Sequence, residues 1–440
     1  MHSTFKLERS GRDASSCMLS KLRIKSELPD LKDDRGLLFL ARFTRLFAYG
    51  ALSVVLVFYL AGIGLTESRI GMLLTLTLLG DTAVSLILTT QADRIGRRRM
   101  LIVGSLLMAG AGLAFALTSN FIFLVVAGTI GVISPSGNEV GPFLSIEQAA
   151  LAHVVSASER TSAFAWYTLT GSFATAIGSL CGGILPSLVH SSGTVPIGGY
   201  RSVVIAYAAL GMVLTLVFAQ LSSATEVGQS EDRPSGPAVK RTLLGIGHSQ
   251  GIVLRLSGLF ALDSFGGGFV VQSLAAYWFY LRFGVKPAAL GAIFFGANLF
   301  AGVSALLASR LASRIGLVRT MVFTHLPSNI LLILLPLMPS LRLAIIVLLL
   351  RFSISQMDVP TRQSYTMAVV RPEERAAAAG ITGVARTIGA SIPPIFVGIM
   401  FTRSKWIDAP FFIAGTLKVA YDLLLYRQFV SIQPPEEESR

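Results

Sequence analysis

The chain is poor in charge, holds two cysteines and has no phosphate-binding loop. Asp, Glu, Lys and Arg make up 14% of its 440 residues, and 52% are hydrophobic. A soluble domain carries roughly 25% charged residues. With a mean hydropathy of +0.66, an ordinary soluble enzyme is excluded. Cys17 and Cys181 are too few for a disulfide framework or a cysteine metal site. No Gly-x-x-x-x-Gly-Lys-Ser/Thr run occurs, which excludes nucleotide use through a P-loop. His153, His190, His248 and His325 are scattered, so neither an enzyme nor a metal or cofactor site is expected. The net charge is +13, yet the bases lie between apolar runs and form no nucleic-acid face.

What the chain has is length of apolar sequence. A spanning helix needs about 20 mostly apolar residues. Twelve stretches qualify, at 37–62, 69–92, 100–119, 121–151, 161–187, 202–221, 252–281, 288–311, 319–338, 342–369, 376–401 and 409–429. An even number of spans puts both termini on one side. Lys and Arg crowd that side, while the opposite loops hold only Arg69, Arg201, Arg282, Lys286, Arg342, Arg403 and Lys405. The positive-inside bias makes the termini cytoplasmic. The chain then divides into a basic cytoplasmic tail (1–35), a six-helix bundle (36–221), a polar cytoplasmic linker (222–250), a second six-helix bundle (251–430) and a short cytoplasmic tail (431–440).

The halves repeat. Ala92-Asp93-Arg94-Ile95-Gly96-Arg97-Arg98-Arg99 returns 220 residues later as Ala312-Ser313-Arg314-Ile315-Gly316-Leu317-Val318-Arg319. Gln148 precedes Glu159 by eleven residues, and Gln363 precedes Glu374 by the same distance. A repeat of this length with unchanged polarity signals duplication of a membrane bundle. With this basic turn and twelve spans, the chain from residue 36 to about 430 resembles a major facilitator superfamily transporter. The resemblance implies an all-α membrane fold of two pseudo-symmetric six-helix bundles that rock about a central pathway. It also implies that Asp93, braced by Arg94, Arg97 and Arg98, faces the positive end of the eleventh helix and latches the cytoplasmic side. Gly96 and Gly316 permit the turns. In the second copy Ser313 replaces the acid and leaves Arg314, so the latch is stronger in the first half. Thr89 stands where the family's signature has a glycine.

Gly178-Ser179-Leu180-Cys181-Gly182-Gly183 in the fifth span resembles the antiporter motif of drug-exporting members, with Ser179 in the proline's place. Gly178, Gly182 and Gly183 also suit any close helix contact. Exporters usually carry an arginine early in the fourth span, and residues 121–133 contain none.

A charge inside a bilayer costs about 2.5–3.5 kcal/mol, so each one asks for a reason. Arg45 in the first span and Asp81 in the second fall at similar depth, roughly 12–17 Å from the cytoplasmic ends at about 1.5 Å per residue. They are expected to pair, as a proton site or as a static ion pair. The fourth span contains Ser134-Pro135-Ser136-Gly137-Asn138-Glu139-Val140-Gly141-Pro142, which should kink or unwind it. Asn138 and above all Glu139 are therefore substrate or coupling candidates, unless the break is an interfacial loop. The repeat sets Arg362 opposite Glu147, and a Glu147–Arg362 bridge is expected to close the cytoplasmic side. Asp263 before Gly266-Gly267-Gly268, Asp358, and the lone Arg386 are further pathway candidates. Lys418 and Asp422, four apart on one helix, are expected to pair with each other.

Bases and acids within the spans nearly balance, which favours neither a cationic nor an anionic substrate. The function expected is secondary transport by alternating access, most of all proton-coupled efflux of small organic compounds by a monomer in the plasma membrane. The lipid bilayer, a small-molecule substrate and protons are its partners. A proton-coupled importer or facilitator of a metabolite is the second reading. A non-transporting sensor or membrane enzyme is the remote third.

Overall fold

A computed structural model describes residues 33–137, 142–156, 159–189, 197–226, 247–371 and 374–432. Most of the basic tail and of the linker, the last residues, and the candidates Asn138 and Glu139 lie outside the described residues. So does the side chain of Asp93.

The described chain is helical, and eleven segments are long and apolar enough to cross a membrane. The first half comprises α1 (Asp34–Gly62), α2 (Glu67–Ile95), α3 (Arg97–Leu117), α4 (Phe121–Ile130), α5 (Phe143–Val154), α6 (Arg160–Val189) and α7 (Ile197–Ala219). The second comprises α8 (Gln250–Gly268), α9 (Gln272–Phe283), α10 (Pro287–Ile315), α11 (Leu317–Leu334), α12 (Leu341–Ser355), α13 (Asp358–Ala368), α14 (Arg375–Ser391), α15 (Pro393–Phe401) and α16 (Ala409–Phe429). The expected fourth span is thus two half-helices, α4 and α5, separated by the stretch rich in proline and glycine. Pairs α8–α9, α12–α13 and α14–α15 each form one interrupted crossing.

The duplication is visible residue by residue. Gly96 and Gly316 are each the single residue between two consecutive helices, with φ of 119° and 88°, a backbone state that favours glycine. Gly64 and Gly284 match likewise, at 94° and 67°. Helix boundaries run at an offset of 220 up to the break before α5, and α5 maps onto α13 at 215. The five extra residues of the first half therefore lie in its broken crossing.

Within the first half α1 packs on α6 and α7, and α3 on α7; within the second α8 packs on α14 and α16, and α11 on α16. The halves meet chiefly along two seams, α6 against α10 and α2 against α15, with lesser contacts of α2 on α14 and of α1 on α9 and α10. Both seams depend on glycine. A Cβ on Gly398 would overlap the Glu67 carbonyl and lie 2.9 Å from Gly71 Cα, and a Cβ on Gly183 would overlap the Pro287 carbonyl and lie 2.8 Å from Gly291 Cα. The offsets 220 and 215 carry Gly71 onto Gly291 and Gly183 onto Gly398, so the two crossings are copies of one contact. Both sit at the helix ends remote from the termini. At the terminus side the braces among the described residues stay within a half. Asp34 accepts from the Ser222 amide at 2.8 Å, and Glu226 from the amides of Arg97 and Arg98 at 2.7 and 3.1 Å. Glu374 accepts from the amides of Gly247, His248 and Ser249 at 2.6, 3.0 and 3.0 Å.

Two outcomes are expected. Gly398→Ala or Gly183→Ala inserts a methyl between backbones, at about 1–3 kcal/mol of overpacking, or a five- to 150-fold population shift at about that energy. Spin-label distances across the far-side helix ends should lengthen. Gly110→Ala, with open space around it, should leave them unchanged. Second, the Ser249 hydroxyl and the amides of Gly247, Ser249 and His248 lower Glu374 from its ordinary 4.5 to about 2. The folded value is depressed, so its contribution is present above pH 4.5 and fades as pH falls toward 2. Amide-exchange protection at Gly247–Ser249 should differ between wild type and Glu374→Gln at neutral pH and converge near pH 2.

Candidate functional site

Irregular backbone at membrane depth must find hydrogen-bond partners in the protein. The two breaks nearest the middle supply them to each other. The Ser273 amide, at the start of α9, donates to the Pro135 carbonyl in the α4–α5 break at 3.1 Å. Beside it the Gln272 amide nitrogen donates to Ser53 Oγ at 2.8 Å and Ser179 Oγ at 3.0 Å, and Asn298 Nδ2 donates to Gln272 Oε1 at 3.1 Å. All four side chains are buried. Gly137 has φ 68°, and a Cβ there would press to 2.9 Å from Ser53 Oγ. Gln272 and Asn298 are thus interhelical hydrogen bonds that tie α1, α6, α9 and α10 across the two halves.

Among the described residues the first half buries the ion pair of Arg45 with Glu147. Arg45 and Glu147 are both fully buried. Arg45 Nη1 donates to Glu147 Oε1, Nη2 to Oε2 at 2.9 Å, and the Tyr167 hydroxyl donates to Oε2 as well. Arg45 also stacks 4.6 Å from the centre of the Phe143 ring, and Arg42 lies 4.7 Å over Tyr167. This corrects the expected Arg45–Asp81 pair. The bidentate geometry that a carboxylate offers a guanidinium is supplied by Glu147, because the chain break turns α5 inward against α1. Asp81 is buried in α2, within electrostatic reach of Tyr207.

The second half buries a larger cluster. Asp263 on α8 accepts from Lys418 Nζ at 2.6 Å and from Arg362 Nη1 at 3.2 Å, with His325 Nε2 at 3.7 Å. Arg362 also reaches Asp358 one turn back at 3.2 Å. Asp422 takes His325 Nδ1 at 2.8 Å and Asn329 Nδ2 at 2.8 Å. Two further expectations are corrected here. Glu147 and Arg362 do not meet, since each is saturated inside its own half. Lys418 and Asp422 share a helix face but bond across helices, because Asp263 and His325 stand closer to their ends than they do to each other. Asp263, His325 and Asp358 bring their ligand atoms within 4.8 Å of one another. The Lys418 and Arg362 charges already serve these acids and oppose a divalent cation. Arg386 on α14 and Arg351 on α12 make no hydrogen bond or ion pair among the described residues. Both lie within electrostatic reach of Asp263 and Asp358. Sequence reading missed His325 and Arg351 as members of the cluster. Their signal was the same as for the others, a titratable group in an apolar span.

The expected latch residues sit at the terminus side. Arg97 Nη1 reaches the carbonyls of Ala149 and Thr225 at 3.3 and 3.4 Å, and Arg98 donates to the Ala219 carbonyl. Glu226 caps the α3 amides, a role that its place in the polar linker did not announce. In the second copy Ser313 bonds its own helix at Arg310 O, 2.8 Å away, and Arg314 is exposed. Gly178 and Gly182 bring α6 against the α1 backbone at Phe47 and Ala51, while Gly183 faces α10.

Comparison with known proteins bears on this architecture. Residues 38–394 match the family model described as Major Facilitator Superfamily. An uncharacterised membrane protein of Saccharomyces cerevisiae, YJR124C, is 32% identical over 424 residues, covering 91% of this chain and 94% of that protein. Among solved structures, the nucleoside transporter NupG aligns with a TM-score of 0.68 at 14% identity, over 90% of this chain and 99% of that one. A bacterial homolog of the human lysosomal transporter Spinster, in an inward-facing and unoccupied conformation, aligns with a TM-score of 0.66 at 16% identity, over 90% and 94%. With twelve crossings, two copied halves and a family match across most of its length, the chain belongs to the Major Facilitator Superfamily and is a multi-pass membrane transporter.

Proposed function

We propose that the protein is a proton-coupled exporter of small organic compounds, working as a monomer by alternating access in the plasma membrane with both termini cytoplasmic. The observation that carries proton coupling is His325, held between Asp263 and Asp422. An imidazolium bonds Asp422 through Nδ1 and sets its positive charge 3.7 Å from Asp263, whereas a neutral ring keeps the first contact and loses the charge. Loss of a proton therefore removes one positive charge from between two buried acids, and Lys418 and Arg362 are left to balance Asp263. Asp263 lies one turn before the glycines that end α8, and α9 beyond them carries Gln272 into the node between the halves. A protonation change at the cluster thus has a short mechanical route to the seam. The groups facing it are Asp263, His325, Asn329, Arg351, Asp358, Arg362, Arg386, Lys418, Tyr421 and Asp422. Export is supported by the glycine run of α6 in the seam. With cytoplasmic termini, closure at the remote ends makes this the inward-facing state, and the basic turn around Asp93 would engage only in the opposite one. Ser179 in place of the motif's proline favours a second reading, proton-coupled uptake on the same fold.

Proteoliposomes loaded with a pH-sensitive dye test this. A substrate pulse should move protons with wild type. Asp263→Asn and His325→Gln each remove a charge-assisted bond of about 1.5–3 kcal/mol and should cut proton flux at least about tenfold, while substrate exchange without a pH gradient persists. Proton flux in Asp263→Asn equal to wild type sinks the coupling assignment. The sign of the lumenal pH change at a fixed substrate gradient decides export against uptake.

A further inference from the structure

The charges of the C-terminal cluster do not balance. Lys418 and Arg362 share Asp263, Arg362 also takes Asp358, and His325 with Asn329 takes Asp422. Once these are paired, Arg351 and Arg386 are left over. Their Nε atoms are shut away without a hydrogen-bond partner. Their side chains as a whole are only partly buried. In the first half Glu147 takes Arg45, and Arg42 lies over the Tyr167 ring.

The offset of 220 before the broken crossing places Gly131 at the position of Arg351, and the offset of 215 after it places Gly171 at that of Arg386. Only the second half carries arginines at these positions; in the first, the Arg42 guanidinium lies against Gly171, 2.7 Å from where a Cβ would stand, and over the Tyr167 ring. Burying cations beside others without a counter-charge is costly. A guanidinium edge fits the paired oxygens of a carboxylate or phosphate. We propose that Arg351 and Arg386 form the recognition site for the oxyanion group of an organic anion, so that the transported compound is negatively charged. This rests on the transporter reading and names its substrate class. An arriving anion supplies the missing counter-charge next to Asp263, and through it perturbs the same cluster that holds His325.

The test uses the full chain in proteoliposomes and four labelled probes: succinate, glucose 6-phosphate, glucose and tetraethylammonium. Wild type should move one or both anions. Arg351→Gln and Arg386→Gln should each raise KM for that anion at least about tenfold, the effect of losing a charge-assisted hydrogen bond, with kcat changed far less. Arg→Lys at either site should restore part of the affinity. The anion that is moved should also raise the melting temperature of wild type in detergent, as a ligand of the folded state does, and not that of the double Gln variant. A merely structural role for the arginines lowers the melting temperature without probe and leaves KM alone, which overturns the proposal. Movement of glucose or tetraethylammonium but neither anion overturns it too and leaves the transporter reading standing. No movement of any probe by wild type counts against both.

Discussion

The structure hangs on a rule of membrane depth: a broken helix must give its freed backbone groups to something other than lipid. The chain breaks its fourth and seventh crossings near the middle and sets the breaks face to face. Pro135 gives the carbonyl and Ser273 the amide, and Gln272 spreads its side-chain amide over Ser53, Ser179 and Asn298. Interhelical hydrogen bonds in bilayers average about 0.6 kcal/mol each. A handful of them is enough to align the two halves and too few to weld them. A transporter whose halves must part and rejoin needs that range.

The glycine crossings and the charges divide the labour differently. Gly71 against Gly398 and Gly183 against Gly291 are copies, so closure is a property inherited equally by both halves. The buried ions are not copies. Glu147 maps onto Arg362, a change of sign at one position of the ancestral bundle, and each then found partners in its own half. Arg45 met Glu147 on one side, and Asp263 with Asp358 met Arg362 on the other. The duplication kept the mechanics and let the chemistry diverge.

The twelve crossings, the repeat and the breaks at Pro135–Pro142 and Gly266–Gly268 were legible because each rests on local sequence: apolar length, a glycine at a positive φ, prolines within a helix. The ion pairs were not. Matching depth suggested Arg45 with Asp81, repeat symmetry suggested Glu147 with Arg362, and helical spacing suggested Lys418 with Asp422. All three arguments place a residue along its own helix axis and say nothing of the rotation of one helix against the next. That rotation is set by packing, and it decides which of several buried acids a cation finds. Glu226 and Glu374 as helix caps escaped notice for the same reason, since each caps a helix far away in sequence.

Ser179 shows how the two systems join. The resembled motif has a proline there, and its repeat mate, at the offset of 215, is Pro394 at the start of α15. A proline at 179 would have no hydroxyl for Gln272. With serine, the hydroxyl takes part in the node while the carbonyl of the same residue lies against Gly291 in the α6–α10 seam, 2.7 Å from where a Cβ would stand. In the other seam the Pro394 carbonyl lies against Gly71 in the same way, and the hydroxyl beside it is that of Thr75, which accepts from the Ile395 amide at 3.0 Å and reaches no node like that of Gln272. Opening the α6–α10 seam therefore draws Ser179 away from Gln272, and breaking the node frees the seam. The departure from the motif couples the closing contact to the hinge that begins at Asp263, and it does so on one side of the molecule only.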